Sequence, residues 1–163
     1  MKTLTVFYSL TGNTKKLAQT VTAAVKGDLL EIKLKKELPQ NKFLKYFAAG
    51  RQLMKKEIPQ IMPLDIDPHG YDLVFIGTPV WAATFAPAVR SFISRANLRN
   101  KNVALFCARG GDAPGTALEN LEKELAGNNV VAKVGFKMDG ISVADENDNL
   151  EKIADWAKNI ARS

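Results

Sequence analysis

The alternation of short apolar runs with helical repeats most restricts how this chain can fold. Five runs are short, often β-branched and bounded by turn residues, as expected of strands covered on both faces. They span residues 4–8, 29–34, 73–76, 103–107 and 130–136. Between them, apolar residues recur with helical spacing. The recurring positions are Leu17, Val21, Ala24 and Val25; Phe85, Ala88, Val89, Phe92 and Ile93; Leu118, Leu121 and Leu125; and Leu150, Ile153, Ala154, Ala157 and Ile160. This order predicts an α/β fold around a five-stranded parallel sheet.

The length of 163 residues fits one domain spanning residues 1–163. An extended basic connection at about residues 35–70 is longer than usual, and the spacing of Phe43, Leu44, Phe47 and Ala48 predicts a helix within it. The chain opens with a predicted strand rather than a signal sequence, and no apolar stretch is long enough to cross a membrane. We therefore expect a cytoplasmic protein without membrane insertion.

Metal and thiol chemistry find little support in the composition. The chain has one cysteine, Cys107, and one histidine, His69, so it has no Cys/His cluster for zinc and no internal disulfide. Cys107 ends a predicted strand, where a buried thiol is the commoner interpretation. His69 lies in a turn-like Asp-Pro-His-Gly sequence. We expect no metal and no catalytic side chain.

The positive charge of the chain is concentrated in one segment. Residues 33–56 hold eight basic residues and one acid, a net charge of +7 in a chain of +6, so the remainder sums to −1. Such a segment either docks an acidic protein, a phosphate or a membrane surface, or is a solvated face. Aromatic residues do not alternate with basic ones as in single-strand binders, so we expect no nucleic-acid partner.

The first predicted strand is followed by a loop rich in hydroxyl groups that opens a helix. The loop residues are Ser9, Leu10, Thr11, Gly12, Asn13 and Thr14. Such a loop offers a phosphate several backbone N–H groups and hydroxyls at the positive end of a helix dipole. The glycine spacings of nucleotide-hydrolysing and dinucleotide-binding loops are absent. A plain helix cap is the alternative interpretation.

Two more loops follow the carboxyl ends of predicted strands, where open parallel sheets bind ligands. The first contains Thr78, Pro79, Val80, Trp81 and Ala82, and the second contains Arg109, Gly110, Gly111 and Asp112. Trp81 either packs on a flat ligand or covers the end of the sheet. Asp112 either accepts a ligand hydroxyl or braces its turn, and Arg109 either attracts a phosphate or is a surface cation.

With these three loops, the chain resembles the flavodoxin family over essentially its whole length. The stretch Tyr8-Ser9-Leu10-Thr11-Gly12-Asn13-Thr14 is similar to the family's phosphate loop, and Gly77-Thr78-Pro79-Val80-Trp81 is similar to its first flavin-flanking loop. Arg109-Gly110-Gly111-Asp112 falls where the second flavin loop lies. The resemblance implies a three-layer sandwich with helices on both faces, strand order 2-1-3-4-5, and noncovalently bound FMN.

Departures from the family leave the role of the flavin open. From Cys107 to Gly115 there is no aromatic residue to stack on the ring, so one face of the flavin is open, which suits hydride transfer. The near-neutral body is unlike acidic flavodoxin shuttles. We favour an FMN-binding electron carrier that meets redox partner proteins. An NAD(P)H-dependent FMN oxidoreductase of the quinone reductase type is the alternative, and a phosphate-binding interaction module without redox function is a remote one.

Overall fold

The computed structural model describes residues 1–36, 50, 58–112 and 115–163. These residues form six strands and four α-helices. The strands are β1 (Thr3–Phe7), β2 (Asp28–Glu31), β3 (Leu73–Trp81), β4 (Thr84–Phe85), β5 (Asn102–Arg109) and β6 (Asn129–Lys137). The helices are α1 (Asn13–Val25), α2 (Pro87–Ala96), α3 (Ala117–Glu124) and α4 (Val143–Arg162). The helix expected at residues 43–48 lies outside the described part of the chain.

Five strands are parallel and lie in the order β2-β1-β3-β5-β6, while β4 pairs antiparallel with the end of β3. The α/β fold with a parallel sheet is therefore confirmed. The expected five-stranded sheet of order 2-1-3-4-5 needs correction, because the sheet has six strands. The sixth, β4, has only two residues, and a run that short shows no recognisable period.

The third strand is longer than its apolar run indicates. We expected a strand at residues 73–76 with a loop from Gly77 onward, but β3 continues to Trp81. Its backbone stays paired with β5 as far as Pro79, which lies opposite Ala108. Thr78, Pro79, Val80 and Trp81 are thus strand residues, and pairing with a long neighbour outweighs their weak local pattern.

Alternate residues along each central strand pack on opposite faces of the sheet. On β1, Leu4 and Val6 join the core beneath α2 and α3, whereas Phe7 joins the core beneath α1 and α4. The helical residues Leu17 and Ile153 are fully buried on the second face. Because helices cover both faces, the carboxyl ends of the parallel strands remain an accessible edge for binding.

In the connection between β2 and β3, the described residues pair with each other and then lead back to the sheet. Leu34 forms an antiparallel bridge with Ile61, and a short 3₁₀ helix, Pro68–Gly70, leads into β3. His69 lies in this 3₁₀ helix, where its N–H donates to the Asp67 carboxylate, so it has the turn position that its sequence predicts. Among the described residues, no helix is long and apolar enough to cross a membrane.

Candidate functional site

The loop between β1 and α1 is held in place by one serine. The Ser9 hydroxyl oxygen accepts the N–H groups of Gly12 and Lys15, at 3.1 and 3.3 Å. Gly12 has φ 99°, a conformation that costs other residues strain, and it precedes the first residue of α1. Ser9 therefore fixes the loop from inside, as the helix-cap interpretation required.

The start of α1 nevertheless leaves hydrogen-bond donors free. Helix geometry gives the first N–H groups of α1, those of Asn13 and Thr14, no intrahelical acceptor, and Gly12 has no side chain to cap them. Thr11 is exposed, and Thr14 is 1% exposed, with a hydroxyl that makes no hydrogen bond within the described residues. The loop thus combines a braced backbone with donors available to an anion.

The nearest lysines of α1 are paired with acids away from this loop. Lys15 forms an ion pair with Glu31 at 3.1 Å, and Lys16 forms one with Glu146 at 2.6 Å. What remains for a ligand is a set of neutral N–H and hydroxyl donors at the positive end of α1. Such a set suits a phosphate held without chemistry.

The hairpin between β3 and β4 forms the second wall of the site. Trp81 is only 8% exposed, and its ring meets Tyr8 edge-on, with centroids 5.8 Å apart and planes at 81°. Ala82 and Ala83 have φ values of 44° and 63°, as the two central residues of a tight hairpin turn do. Trp81 therefore covers the end of the core and also borders the cleft, and packing of its ring on a flat ligand stays a prediction.

Thr78 has an internal role within the same hairpin. Its side chain is fully buried, and its hydroxyl accepts the Ala86 N–H and donates to the Pro79 carbonyl, each at 3.0 Å. These bonds join the two ends of the hairpin. We infer that Thr78 shapes the wall formed by Pro79, Val80 and Trp81 from behind.

The loop after β5 is pinned by two cations. The Arg109 guanidinium donates to the Gly111 carbonyl oxygen, and Asp112 forms an ion pair with Lys137 of β6 at 2.6 Å. The hydrogen bond from Lys137 lowers the pKa of the highly exposed Asp112 carboxyl. Arg109 and Asp112 thus both make contacts that brace the loop, and Gly110 and Gly111 present its backbone to solvent.

Residues of all three loops line one cleft at the carboxyl edge of the sheet. The lining residues are Leu10, Thr11, Asn13, Thr14, Pro79, Val80, Trp81, Ala108, Gly110 and Asp139. Eight of these stand within the three predicted loops. The other predicted site residues do not line the cleft. Ser9, Gly12, Thr78 and Ala82 are chain neighbours of lining residues. Arg109 was expected in a loop but is the last residue of β5, and Gly111 and Asp112 follow it.

The sequence interpretation missed Asp139, which follows β6. Its Oδ1 accepts the side-chain N–H of Asn13 at 2.6 Å, and it thereby joins the start of α1 to the fifth parallel strand. Its Oδ2 lies 3.2 Å from where a Cβ on Gly110 would stand, so Gly110 leaves room for this carboxylate. A signal existed, because Asp139 comes two residues after the end of the last strand, at the edge where the other loops gather.

Chemistry by cysteine or by a metal has no support within the described residues. Cys107 is fully buried, and burial raises the pKa of its thiol to about 12. No group of three potential metal ligands occurs in the described ranges. The residues that line the cleft offer hydrogen-bond donors and apolar surface, which suit binding and orienting a ligand.

A family model and a curated relative match this chain. A family model described as flavodoxin matches residues 2–160. Flavodoxin-like domain-containing protein BilS of Clostridioides difficile (strain CD3) is 29% identical over 116 residues, which are 71% of this chain and 51% of BilS. This chain thus corresponds to about half the length of that relative.

Solved structures share the fold over nearly the whole chain. A flavoprotein from Lactobacillus acidophilus NCFM, crystallised in complex with FMN, is 25% identical, with a TM-score of 0.73 over 94% of this chain and 98% of that one. A protein from Bacteroides uniformis ATCC 8492 is 24% identical, with a TM-score of 0.80 over 96% and 97% of the two chains. The second likeness shows the fold alone.

Proposed function

The chain belongs to the flavodoxin family, and on that premise we propose that it binds FMN noncovalently in the cleft and acts as an electron carrier. The observation that carries the proposal is the meeting of three loops around a neutral donor set at the start of α1. The L. acidophilus flavoprotein, which was crystallised with FMN, supports it. When bound, FMN supplies one- or two-electron transfer at its ring system.

The donor set fits the phosphate end of FMN. The free N–H groups of the first turn of α1, with the hydroxyls of Thr11 and Thr14, offer several hydrogen bonds to one anion. Ser9 keeps these donors in position because its oxygen already binds the Gly12 and Lys15 N–H groups. A loop fixed before binding loses little conformational entropy when the ligand enters.

The remaining walls fit the rest of the cofactor. Trp81 and Val80 border the cleft with apolar surface for a flat ring, and Gly110 lets the backbone of the loop after β5 approach closely. Asp139 offers a carboxylate oxygen to a ligand hydroxyl, next to Asn13. In this arrangement the protein binds and orients the flavin, and no side chain has to gain or lose a proton.

The electron-carrier role competes with an NAD(P)H-dependent oxidoreductase. The loop after β5 favours the second role in one respect, because no aromatic residue between Cys107 and Gly115 covers the ring. Gly110 and Gly111 are both exposed, and among the described residues no heavy atom beyond the chain neighbours lies within 4 Å of a Cβ built on Gly111. A nicotinamide could thus reach one face of the ring.

Anaerobic mixing of the FMN-loaded protein with NADPH or NADH separates the two roles. For a carrier, we expect flavin absorbance to persist with either nucleotide and to bleach on adding dithionite. Rapid bleaching by a nicotinamide would instead establish the reductase. A purified protein that gains no flavin absorbance with FMN would refute both roles and support a binding module without redox function.

A further inference from the structure

A short two-stranded ribbon lies beside the cleft and has no part in forming it. Residues 33–35 run antiparallel to residues 60–62: the Lys35 N–H donates to the Gln60 carbonyl at 2.9 Å, and the Met62 N–H donates to the Lys33 carbonyl at 2.8 Å. The bridge between Leu34 and Ile61 lies at its centre. We call these six residues the basic ribbon.

The two faces of the basic ribbon differ sharply. Leu34 and Ile61 are 8% and 5% exposed and belong to the core that also contains Tyr8 and Trp81. Side chains alternate between faces in extended chain, so the other face presents the remaining four residues to solvent. These exposed residues are Lys33, Lys35, Gln60 and Met62. The outer face therefore carries two lysines around one exposed apolar side chain.

Within the described part of the chain, no acid pairs with the lysines of this face. Lys33, Lys35 and the adjacent exposed Lys36 form no ion pair with any acid in the described ranges, whereas Lys15, Lys16 and Lys137 near the cleft all do. The sequence from 33 to 56 adds to the same sign, with a net charge of +7. The ribbon thus belongs to the basic stretch of a chain whose remainder sums to −1, and its unpaired lysines are a source of positive potential.

The ribbon is fixed close to the carboxyl edge of the sheet. Just before it, the Ile32 N–H donates to the Phe7 carbonyl at 2.8 Å, where β1 passes into the loop that begins the cleft. On its other side, the Ser91 hydroxyl of α2 donates to the Pro59 carbonyl at 2.6 Å. The ribbon therefore starts at the same edge of the sheet as the loop between β1 and α1.

We propose that the basic ribbon is the docking surface for the acidic face of a redox partner protein, an inference that rests on the proposed electron-carrier function. Protein interfaces combine apolar contact with a polar rim, and Met62, which is 47% exposed, stands among lysines in that way. Insertion into a membrane needs a larger apolar face, and binding of single-stranded nucleic acid needs exposed aromatic rings; the ribbon offers neither.

The test uses an acidic plant-type [2Fe–2S] ferredoxin as the probe, fluorescently labelled and titrated with the full chain. We expect binding that weakens at least tenfold as salt rises from about 20 to about 200 mM. Replacing Lys33→Glu together with Lys35→Glu should weaken binding about tenfold at low salt. The matched control, Lys123→Glu with Lys152→Glu, makes the same change in net charge on α3 and α4 and should change binding less than about twofold.

Three results would overturn the docking proposal. They are a ferredoxin affinity that does not depend on salt, an equal loss in the control variant, and sedimentation with phosphatidylcholine–phosphatidylserine vesicles that depends on Lys33 and Lys35. Binding is measured by the fluorescence anisotropy of the labelled ferredoxin, which needs no flavin on the chain. The affinity for FMN is measured separately on each variant. Failure of the chain to bind FMN would therefore refute the proposed function without altering the docking result.

Discussion

Ala83 and Thr116 are joined by two hydrogen bonds, since the N–H and the hydroxyl of Thr116 both donate to the Ala83 carbonyl oxygen, at 3.0 and 3.2 Å. Ala83 ends the tight turn between β3 and β4, and Thr116 precedes α3. The bonds hold the turn against the start of α3, although Ala82 and Ala83 both have a positive φ that disfavours alanine. The wall containing Trp81 is thereby anchored at its tip.

Replacing Ala82→Gly should leave the protein at least as stable as the unmodified chain. A positive φ costs an alanine about 1–2 kcal/mol, and this relief offsets the about 0.5–1 kcal/mol that glycine loses in unfolded-state entropy. The control, Ala154→Gly within α4, relieves no strain and should lower the free energy of unfolding by about 0.5–1 kcal/mol. Urea unfolding measures both. Equal losses in the two variants would show that the turn is unstrained.

The two tryptophans should report flavin binding differently. Trp81 borders the cleft. Trp156 belongs to α4 and packs against Phe75 on the other face of the sheet. In a Trp156→Phe variant, FMN should strongly quench the remaining fluorescence of Trp81, because Trp81 lines the cleft proposed to hold the flavin. In a Trp81→Phe variant, quenching of Trp156 should be weaker. Stronger quenching of Trp156 would place the flavin elsewhere.

Gly110 and Gly111 should respond differently to the same substitution. A Cβ on Gly110 would stand 3.2 Å from Asp139 Oδ2, whereas a Cβ on Gly111 meets nothing within 4 Å. We therefore expect Gly110→Ala to weaken FMN binding by displacing Asp139, and Gly111→Ala to leave it unchanged. Titration of flavin fluorescence measures both affinities.

A double-mutant cycle identifies the cause of that difference. If Asp139 transmits the effect, Gly110→Ala should have little further effect in a protein that already carries Asp139→Ala. An undiminished effect in that background would mean that the methyl group meets the cofactor directly.

The Cys107 thiol should stay unreactive in the folded protein at neutral and mildly alkaline pH. Burial raises its pKa to about 12 from an ordinary value of about 8.5. Between about pH 8.5 and about 12, the thiol ionises in the unfolded chain but stays neutral in the folded protein. The contribution of the neutral thiol to the free energy of unfolding is therefore fully present below about pH 8.5 and is lost as the pH rises toward about 12. Labelling by a disulfide reagent at pH 8 should be slow until urea is added. Fast labelling without urea would contradict the burial.

The sequence pattern predicts the parallel sheet well because strands covered on both faces leave clear apolar runs. It fails where pairing with a neighbour decides the structure. The stretch from Gly77 to Trp81 has no strand pattern, yet it lies in β3 because β5 continues beside it as far as Ala108. The two residues of β4 are too few to show any period at all.

For the candidate site, the sequence predicts where the loops lie but not which residues contact each other. Three loops could be assigned to one edge because parallel strands all end there, and the structure brings residues of each into one cleft. Hydrogen-bond partners could not be assigned, since they depend on loop conformation. Asp112 pairs with Lys137, which is 25 positions away in the sequence. Asp139 contacts Asn13, which is 126 positions away. That these residues bind a cofactor stays a prediction.

The hydroxyl-rich loop of residues 9–14 is proposed to hold the phosphate of FMN, and a comparison of FMN with riboflavin binding tests this assignment. Riboflavin lacks only the phosphate, so the intact chain should bind FMN much more tightly. Replacing Thr11→Val and Thr14→Val together should remove about 1–3 kcal/mol of FMN binding for each lost bond and leave riboflavin binding unchanged. The control, Thr20→Val on the same helix, loses only a bond to the Lys16 carbonyl and should bind both flavins normally. Equal affinity of the intact chain for FMN and riboflavin would show that this loop does not hold the phosphate.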